Sequence, residues 1–286
     1  MNLTNLDTLL TRAESLLTRI EAGLPSLPQQ INWKQVRAAR WLAESRQLRP
    51  IQRPHRIEPK HLLTIDEQKQ RVDSNTRQFM LGKPANNVLL TGSRGTGKSS
   101  LVKAMLAKYG SKGLRLIEVD KVGLNHLPEL FDRVADQPFR FILYCDDLSF
   151  TAVEPGYPAL KAALDGSLAG PTDNVLIYAT SNRRHLMPEY LEENEATKHI
   201  GNEVHPDEAT EEKISLSERF GLWVSFYPIN QDEYLAIARH WAEELAGKEI
   251  PDANFEAEAL RWALGRGSRS GRVAWQFARD WVGSKN

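Results

Sequence analysis

The stretch GSRGTGKSS, residues 92–100, constrains the fold of this chain more than any other part of its sequence. It follows an apolar run, NVLLT, and precedes a helix predicted over residues 98–109. The pattern G-x4-G-K-[ST] in that setting is typical of a phosphate-binding loop, in which backbone N–H groups and a helix N-terminus surround phosphate oxygens. The predicted phosphate-binding residues are Gly92, Ser93, Arg94, Gly95, Thr96, Gly97, Lys98, Ser99 and Ser100.

Two adjacent carboxylates, Asp146 and Asp147, end another apolar run, FILYC. A Mg²⁺ ion bound to a nucleotide prefers hard oxygen ligands and keeps several waters, so it needs an acidic residue close to the phosphate-binding loop. We predict that Asp146 and the hydroxyl of Ser99 hold Mg²⁺ while Lys98 contacts the β- and γ-phosphates. Asp147 is then left for the chemical step.

Short apolar strands alternate with helices from residue 87 to residue 228. This alternation predicts an α/β fold with a mostly parallel sheet that helices cover on both faces. The predicted strands occupy residues 87–91, 114–119, 139–145, 174–179 and 222–228. The chain after residue 228 reads as helical. We therefore predict an α/β nucleotide-binding domain over residues 61–228 and a small helical domain over residues 229–286.

Residues 1–60 are predicted to form a helical extension and a linker. Apolar residues at three- and four-residue spacing over residues 3–24 favour an amphipathic helix, which either packs on the rest of the protein or self-associates. The stretch INWKQVRAARWLAES reads as a second helix with a basic face. Residues 46–61 contain prolines without hydrophobic periodicity, and this pattern predicts an extended linker.

Three further polar residues are predicted to reach the phosphates. Asn182 follows the strand NVLIYA, and ligands of open α/β sheets bind at the carboxyl ends of strands. We expect it to contact the γ-phosphate or the attacking water, although a turn residue before a helix is an alternative. Arg219 precedes the last strand and Arg272 begins a predicted helix. Both can supply charge to a phosphoryl-transfer transition state.

These motifs resemble those of AAA+ ATPases over about residues 60–286. In the terms of that family, GSRGTGKS matches Walker A, FILYCDD matches Walker B, Asn182 matches sensor 1, Arg219 the arginine finger and Arg272 sensor 2. The stretches CDDLSF, ATSNRRHL and SLSERFGLWVSFYP are similar to a bacterial AAA+ family known only as a domain of unknown function. The resemblance implies ATP and Mg²⁺ as ligands, a P-loop core of five parallel strands in the order 5-1-4-3-2, a helical lid, and Ile65 near the adenine.

One departure from the family pattern bears on catalysis. Most AAA+ proteins end Walker B with Asp-Glu, but here the second carboxylate is Asp147, which is shorter by one methylene. A displacement of about 1 Å can cost roughly 100-fold in rate. Hydrolysis is therefore either slow or helped by a local geometry that brings Asp147 closer. Glu154 is a poorer substitute, because it lies several residues into the following loop.

These observations leave two principal functions open. The first is an ATPase that works as a homo-oligomer, in which Arg219 completes the site of a neighbour, and that remodels or loads a macromolecular partner. The second is a nucleotide-gated switch that binds ATP or ADP and hydrolyses slowly. A kinase for a small metabolite is a weaker third interpretation, because it would not explain Asn182 and Arg272.

Charge and hydropathy limit the partners. The chain has 37 basic and 37 acidic residues among 286, so its overall charge does not favour nucleic acid or a membrane surface. Residues 1–60 are basic and residues 187–216 are acidic, which keeps nucleic acid possible but makes a protein partner the stronger prediction. No apolar run is long enough to span a membrane, and the N-terminus lacks the pattern of a signal peptide. We therefore expect a cytoplasmic protein.

Overall fold

The computed structural model describes residues 12–17, 31–149, 156–165, 173–182, 199–200, 203–204, 216–250 and 254–284. The chain divides into two compact units, Met1–Ile31 and Asn32–Asn286. In the first unit residues 12–17 are helical, and the rest of the helix predicted over residues 3–24 lies outside the described residues. Glu154 and most of the acidic segment 187–216 also lie outside them.

A seven-stranded sheet forms the centre of the second unit. Its strands are β1 (Ala38–Leu42), β2 (Gln47–Pro50), β3 (Val88–Gly92), β4 (Leu114–Glu118), β5 (Arg140–Cys145), β6 (Val175–Ser181) and β9 (Leu222–Phe226), and a separate two-stranded ladder pairs β7 (His199–Ile200) with β8 (Glu203–Val204). The strand order is β2-β1-β4-β5-β6-β3-β9, and every pair is parallel except β1 with β2. Five of these strands, β9-β3-β6-β5-β4, reproduce the expected order 5-1-4-3-2. The predicted α/β class is confirmed.

The helices of the second unit are α1 (Asp66–Met80), α2 (Lys98–Tyr109), α3 (Leu127–Ala135), α4 (Gly156–Asp165), α5 (Gln231–Ala246), α6 (Phe255–Gly265) and α7 (Gly271–Ser284). One large core joins α1 and α2 to one face of the sheet, with Val72 and Leu101 fully buried in it. No helix in the described part of the chain is long and apolar enough to cross a membrane.

Residues 38–50 form strands β1 and β2, so the helix and linker predicted there are wrong. Alanine, arginine and leucine favour a helix, but β1 instead pairs with the otherwise open edge of β4, which satisfies backbone N–H and C=O groups. The pairing buries Trp41, whose Nε1 donates to His126 Nδ1 at 3.2 Å. Arg40 forms an ion pair with Glu118 at 2.8 Å on the neighbouring strand. These additions raise the strand count from the expected five to seven.

The three C-terminal helices have a core of their own, built around Tyr234, Phe255 and Trp281. The segment before α1 connects this core to the sheet. Leu63 packs against the helical core, and His61 hydrogen-bonds His240 of α5 at 3.0 Å. The helical character of residues after 228 is thus as predicted, while the boundaries at residues 60 and 228 stay a prediction.

Candidate nucleotide-binding site

The loop between β3 and α2 lies at the carboxyl end of the sheet and is tightly packed. Gly92 has φ 129°, and a Cβ atom there would lie 1.9 Å from the carbonyl oxygen of Phe226 in β9. Only glycine can therefore leave β3 at this point. Thr96 closes the loop internally, since its hydroxyl donates to the carbonyl of Ser93 at 2.9 Å. Ser100 lies half-buried in the first turn of α2.

Lys98 begins α2 and its side chain turns back under the loop. It is 5% exposed, and its Nζ donates to the carbonyls of Gly92 at 2.6 Å and Ser93 at 2.7 Å and to Asn182 Oδ1 at 3.1 Å. Burial lowers the pKa of Lys98 to about 8, although the nearby carboxylates of Asp147 and Asp146 act to raise it. A cation in this position is held by carbonyl groups that a phosphate can replace.

Asp146 lies directly after β5, opposite the start of α2. Its Oδ1 accepts a hydrogen bond from Ser99 Oγ at 2.7 Å and another from Thr180 Oγ1 at 2.6 Å. Burial acts to raise the pKa of Asp146, but the hydrogen bonds outweigh burial and hold the pKa below its ordinary value. The carboxylate is therefore ionised at neutral pH.

The donor set around Asp146 fits a nucleotide-bound Mg²⁺. Ser99 and Asp146 offer two hard oxygen atoms within 2.7 Å of each other, and phosphates and waters complete such a site in proteins. Among the described residues, the buried hydroxyl of Tyr144 also lies next to Asp146, Ser99 and Thr180, and its hydrogen bond helps to lower the pKa of Asp146. Within the same residues no group of three or more His, Cys, Asp and Glu side chains is arranged to hold a metal by itself.

Asp147 faces the loop from the other side. Its φ is 52°, in the left-handed region, and its carboxylate accepts a hydrogen bond from Nδ2 of Asn182. Arg94 of the loop lies 3.9 Å from the same carboxylate, and both side chains are mostly exposed. Because Asn182 also accepts from Lys98, one amide links the loop lysine to Asp147.

Two more predicted residues lie against the loop. The backbone N–H of Gly271 donates to the carbonyl of Gly95 at 2.8 Å, and this contact brings Arg272 at the start of α7 beside the loop with its side chain exposed. Ile65, at the start of α1, is buried and lies 3.3 Å from where a Cβ of Gly97 would be. The C-terminal helices and the segment before α1 thus flank the phosphate-binding loop.

Arg219 is not brought to the site of its own chain. The carboxyl end of β9, Phe226, touches the loop, whereas Arg219 precedes the amino end of that strand. Its guanidinium forms an ion pair with Asp165 at the end of α4. Within its own chain Arg219 therefore lies away from the phosphate-binding loop.

Thr180 and Ser270 are parts of the site that the sequence did not reveal. Thr180 hydrogen-bonds both aspartates, and Ser270 is buried against Gly95. Threonine is common in strands and serine in helix starts, so neither residue type stands out from its local pattern.

Comparison with known proteins places the chain in a family. The family described as "Protein of unknown function (DUF815)" matches residues 34–285. The chain belongs to this family. Its fold is that of the AAA+ ATPases, as the resemblance in sequence implied. No curated protein matches the chain.

Two solved structures illustrate the likeness in fold. A variant of RuvB from Thermotoga maritima superposes with a TM-score of 0.50 at 14% identity, covering 78% of this chain and 63% of that one. The Aeropyrum pernix ORC1 protein, solved in complex with DNA, superposes with a TM-score of 0.53 at 15% identity, covering 80% and 65%. This DUF815 chain thus spans less than two thirds of either protein.

Proposed function

We propose that this protein is a Mg²⁺-dependent ATPase of the AAA+ type. The observation that carries the proposal is one connected hydrogen-bond network at the carboxyl edge of the sheet. It runs from Lys98 through Asn182 to Asp147, and from Ser99 through Asp146 and Thr180 back to Asp147. A phosphate-binding lysine, a metal-binding pair and a candidate general base therefore meet at one place.

Each residue of this network has a separate role in the proposed reaction. Lys98 exchanges the carbonyl oxygens of Gly92 and Ser93 for oxygens of the β- and γ-phosphates. Bound Mg²⁺, held by Ser99 and Asp146, would neutralise charge on those phosphates. Asp147 accepts the proton of a water whose oxygen attacks the γ-phosphorus as the bond to ADP breaks, and Asn182 orients that water.

The position of Arg219 supports assembly into a homo-oligomer. Its ion pair with Asp165 keeps it away from its own loop, so we propose that it completes the site of a neighbouring subunit. The work done by hydrolysis is remodelling or loading of a macromolecular partner in the cytoplasm. The balanced charge of the chain favours a protein as that partner over a nucleic acid.

A nucleotide-gated switch is the second candidate. It is favoured by the pairing of Asp147, whose carboxylate is bonded to Asn182 and faces Arg94, since one of its two oxygens is then occupied by an amide rather than by a water. The switch would bind ATP and ADP with turnover far below about 1 s⁻¹, the low end of typical enzymes.

Binding of a fluorescent ADP analogue and release of phosphate from ATP test the proposal. Lys98→Ala is expected to abolish both, because it removes the ammonium group that is bonded to the carbonyls of Gly92 and Ser93 and that a phosphate would meet. Lys108→Ala is the matched control on the same helix, since that lysine pairs with Asp73 instead, and it should keep both. Unchanged nucleotide binding and turnover in Lys98→Ala would show that the nucleotide does not bind at this loop.

A further inference from the structure

One buried hydroxyl lies between the two aspartates of the site. Thr180 is 1% exposed. Its Oγ1 is 2.6 Å from Asp146 Oδ1 and 2.9 Å from the backbone nitrogen of Asp147, and its carbonyl accepts from the backbone N–H of Leu148 at 2.6 Å. A single residue of β6 thus contacts three consecutive residues that follow β5.

We propose that Thr180 is the positioning residue that gives the two adjacent aspartates different roles. It holds Asp146 as the metal ligand and turns Asp147 toward the attacking water. The inference rests on the proposed ATPase function and gives a role to a residue that the sequence analysis did not single out.

The direction of each hydrogen bond follows from proton counting. A hydroxyl has one proton and two lone pairs, and a backbone N–H can only donate. The hydroxyl of Thr180 must therefore accept from Asp147, and its own proton goes to Asp146. Oδ1 of Asp146 thus accepts from Thr180 on one side and from Ser99 on the other, and the two contacts fix the orientation of this carboxyl group beside the start of α2.

The same residue stabilises the turn that separates the carboxylates. Asp147 has φ 52°, a conformation that non-glycine residues rarely adopt without support from their surroundings. The N–H groups of Asp147 and of Leu148 are both held by Thr180, so the peptide bonds on either side of the Asp147 Cα are fixed. The Asp147 carboxylate then meets Asn182, two residues beyond Thr180.

Replacement of Thr180 by valine and by serine tests the inference. Valine keeps the shape but removes the donor to Asp146 and leaves the Asp147 N–H without its acceptor. Because a displacement of about 1 Å can cost roughly 100-fold in rate, we expect Thr180→Val to lower kcat by about 10- to 100-fold. Mg²⁺ should strengthen nucleotide binding, and we expect the Mg²⁺ concentration at which half of this effect is reached to rise several-fold in Thr180→Val. Affinity for nucleotide without Mg²⁺ should not change.

Two comparisons separate positioning from a structural role. Thr180→Ser keeps the hydroxyl and should restore the Mg²⁺ requirement to within about threefold of the original. Thr76→Val removes another fully buried threonine hydroxyl, which donates to the carbonyl of Val72 at 2.7 Å. It should lower the melting temperature without changing the Mg²⁺ requirement.

The readouts also separate this inference from the proposed function. If the unaltered protein binds nucleotide with Mg²⁺ but releases no phosphate, the ATPase proposal fails, while the Mg²⁺ requirement of Thr180→Val still decides the role of Thr180. An unchanged Mg²⁺ requirement in Thr180→Val overturns the inference. So does a Thr180→Ser protein that is as impaired as the valine variant.

Discussion

The buried state of Lys98 predicts that nucleotide affinity falls as the pH rises above about 8. Lys98 is 5% exposed and bonded mainly to uncharged carbonyls, and burial lowers its pKa to about 8. A bound phosphate adds negative charge beside the ammonium and raises that pKa again. Binding therefore takes up a proton at alkaline pH, and the affinity is fully present below about pH 8 and is lost above it.

The size of this effect follows from the fraction of free protein in which Lys98 is charged. With a pKa of about 8, that fraction falls from about three quarters at roughly pH 7.5 to about 3% at roughly pH 9.5. The dissociation constant for Mg²⁺-ADP should therefore rise by about 25-fold over this range. Isothermal titration calorimetry in buffers of different ionisation enthalpy measures both the affinity and the proton uptake, which should approach one proton at roughly pH 9.

Lys98→Arg is the control, because arginine stays charged throughout this pH range. It should bind more weakly, since its planar head fits the carbonyl cage poorly, but with an affinity that does not vary with pH. Circular dichroism at each pH confirms that the fold persists. An affinity of the unaltered protein that stays flat to roughly pH 9.5 would contradict the lowered pKa of Lys98, since it would mean that Lys98 is fully charged before nucleotide binds.

Three further predictions follow from the geometry of the site. Gly92→Ala should lower the free energy of unfolding in urea by more than about 3 kcal/mol, because its Cβ would overlap the carbonyl of Phe226. Gly247→Ala is the control: that glycine also has a positive φ but no neighbouring atom within 4 Å of a Cβ, so the substitution should cost only about 1 kcal/mol. Equal losses of unfolding free energy in the two variants would contradict the clash at Gly92. Arg219→Ala should leave nucleotide affinity unchanged but lower phosphate release by about 1,000-fold in an assembled sample, so a silent variant would exclude a finger in trans. Asp147→Glu should raise the turnover number about tenfold by restoring the usual length of the base, and a drop in steady-state kcat would show that the shorter side chain is already well placed.

The parallel core could be predicted because its signals are local. Each central strand is a short apolar run, and the run ends where a polar residue meets the carboxyl edge of the sheet, as at Asp146 and Asn182. Buried parallel strands produce such runs because both of their faces are covered. The positions of the loop, the aspartates and the sensor-like asparagine at one edge followed from that pattern.

The N-terminal strands could not be predicted from the same kind of signal. Residues 38–42 read AARWL, which favours a helix by intrinsic propensity. Their conformation is decided by the open edge of β4, where Ala38 pairs with Leu116, 78 residues later in the chain. That edge exists only in the folded sheet.

Thr180 was missed for a related reason. Its hydroxyl matters because β6 lies beside β5 in the sheet, so that Thr180 faces the two residues after Cys145. In the sequence it is one more β-branched residue in a strand. Arg219 is the opposite case. Its motif predicted a functional role from the sequence, but the structure places it away from the phosphate-binding loop of its own chain.

The most direct test of ATP hydrolysis at this site compares phosphate release by the unaltered protein and by Asp147→Asn at saturating ATP and Mg²⁺. Asparagine keeps the shape of the side chain but cannot accept a proton from water. We expect equal ATP affinity and a loss of about 100-fold or more in phosphate release from Asp147→Asn. Equal rates in the two proteins, or tight binding of ATP with no measurable release in either, would contradict hydrolysis at this site.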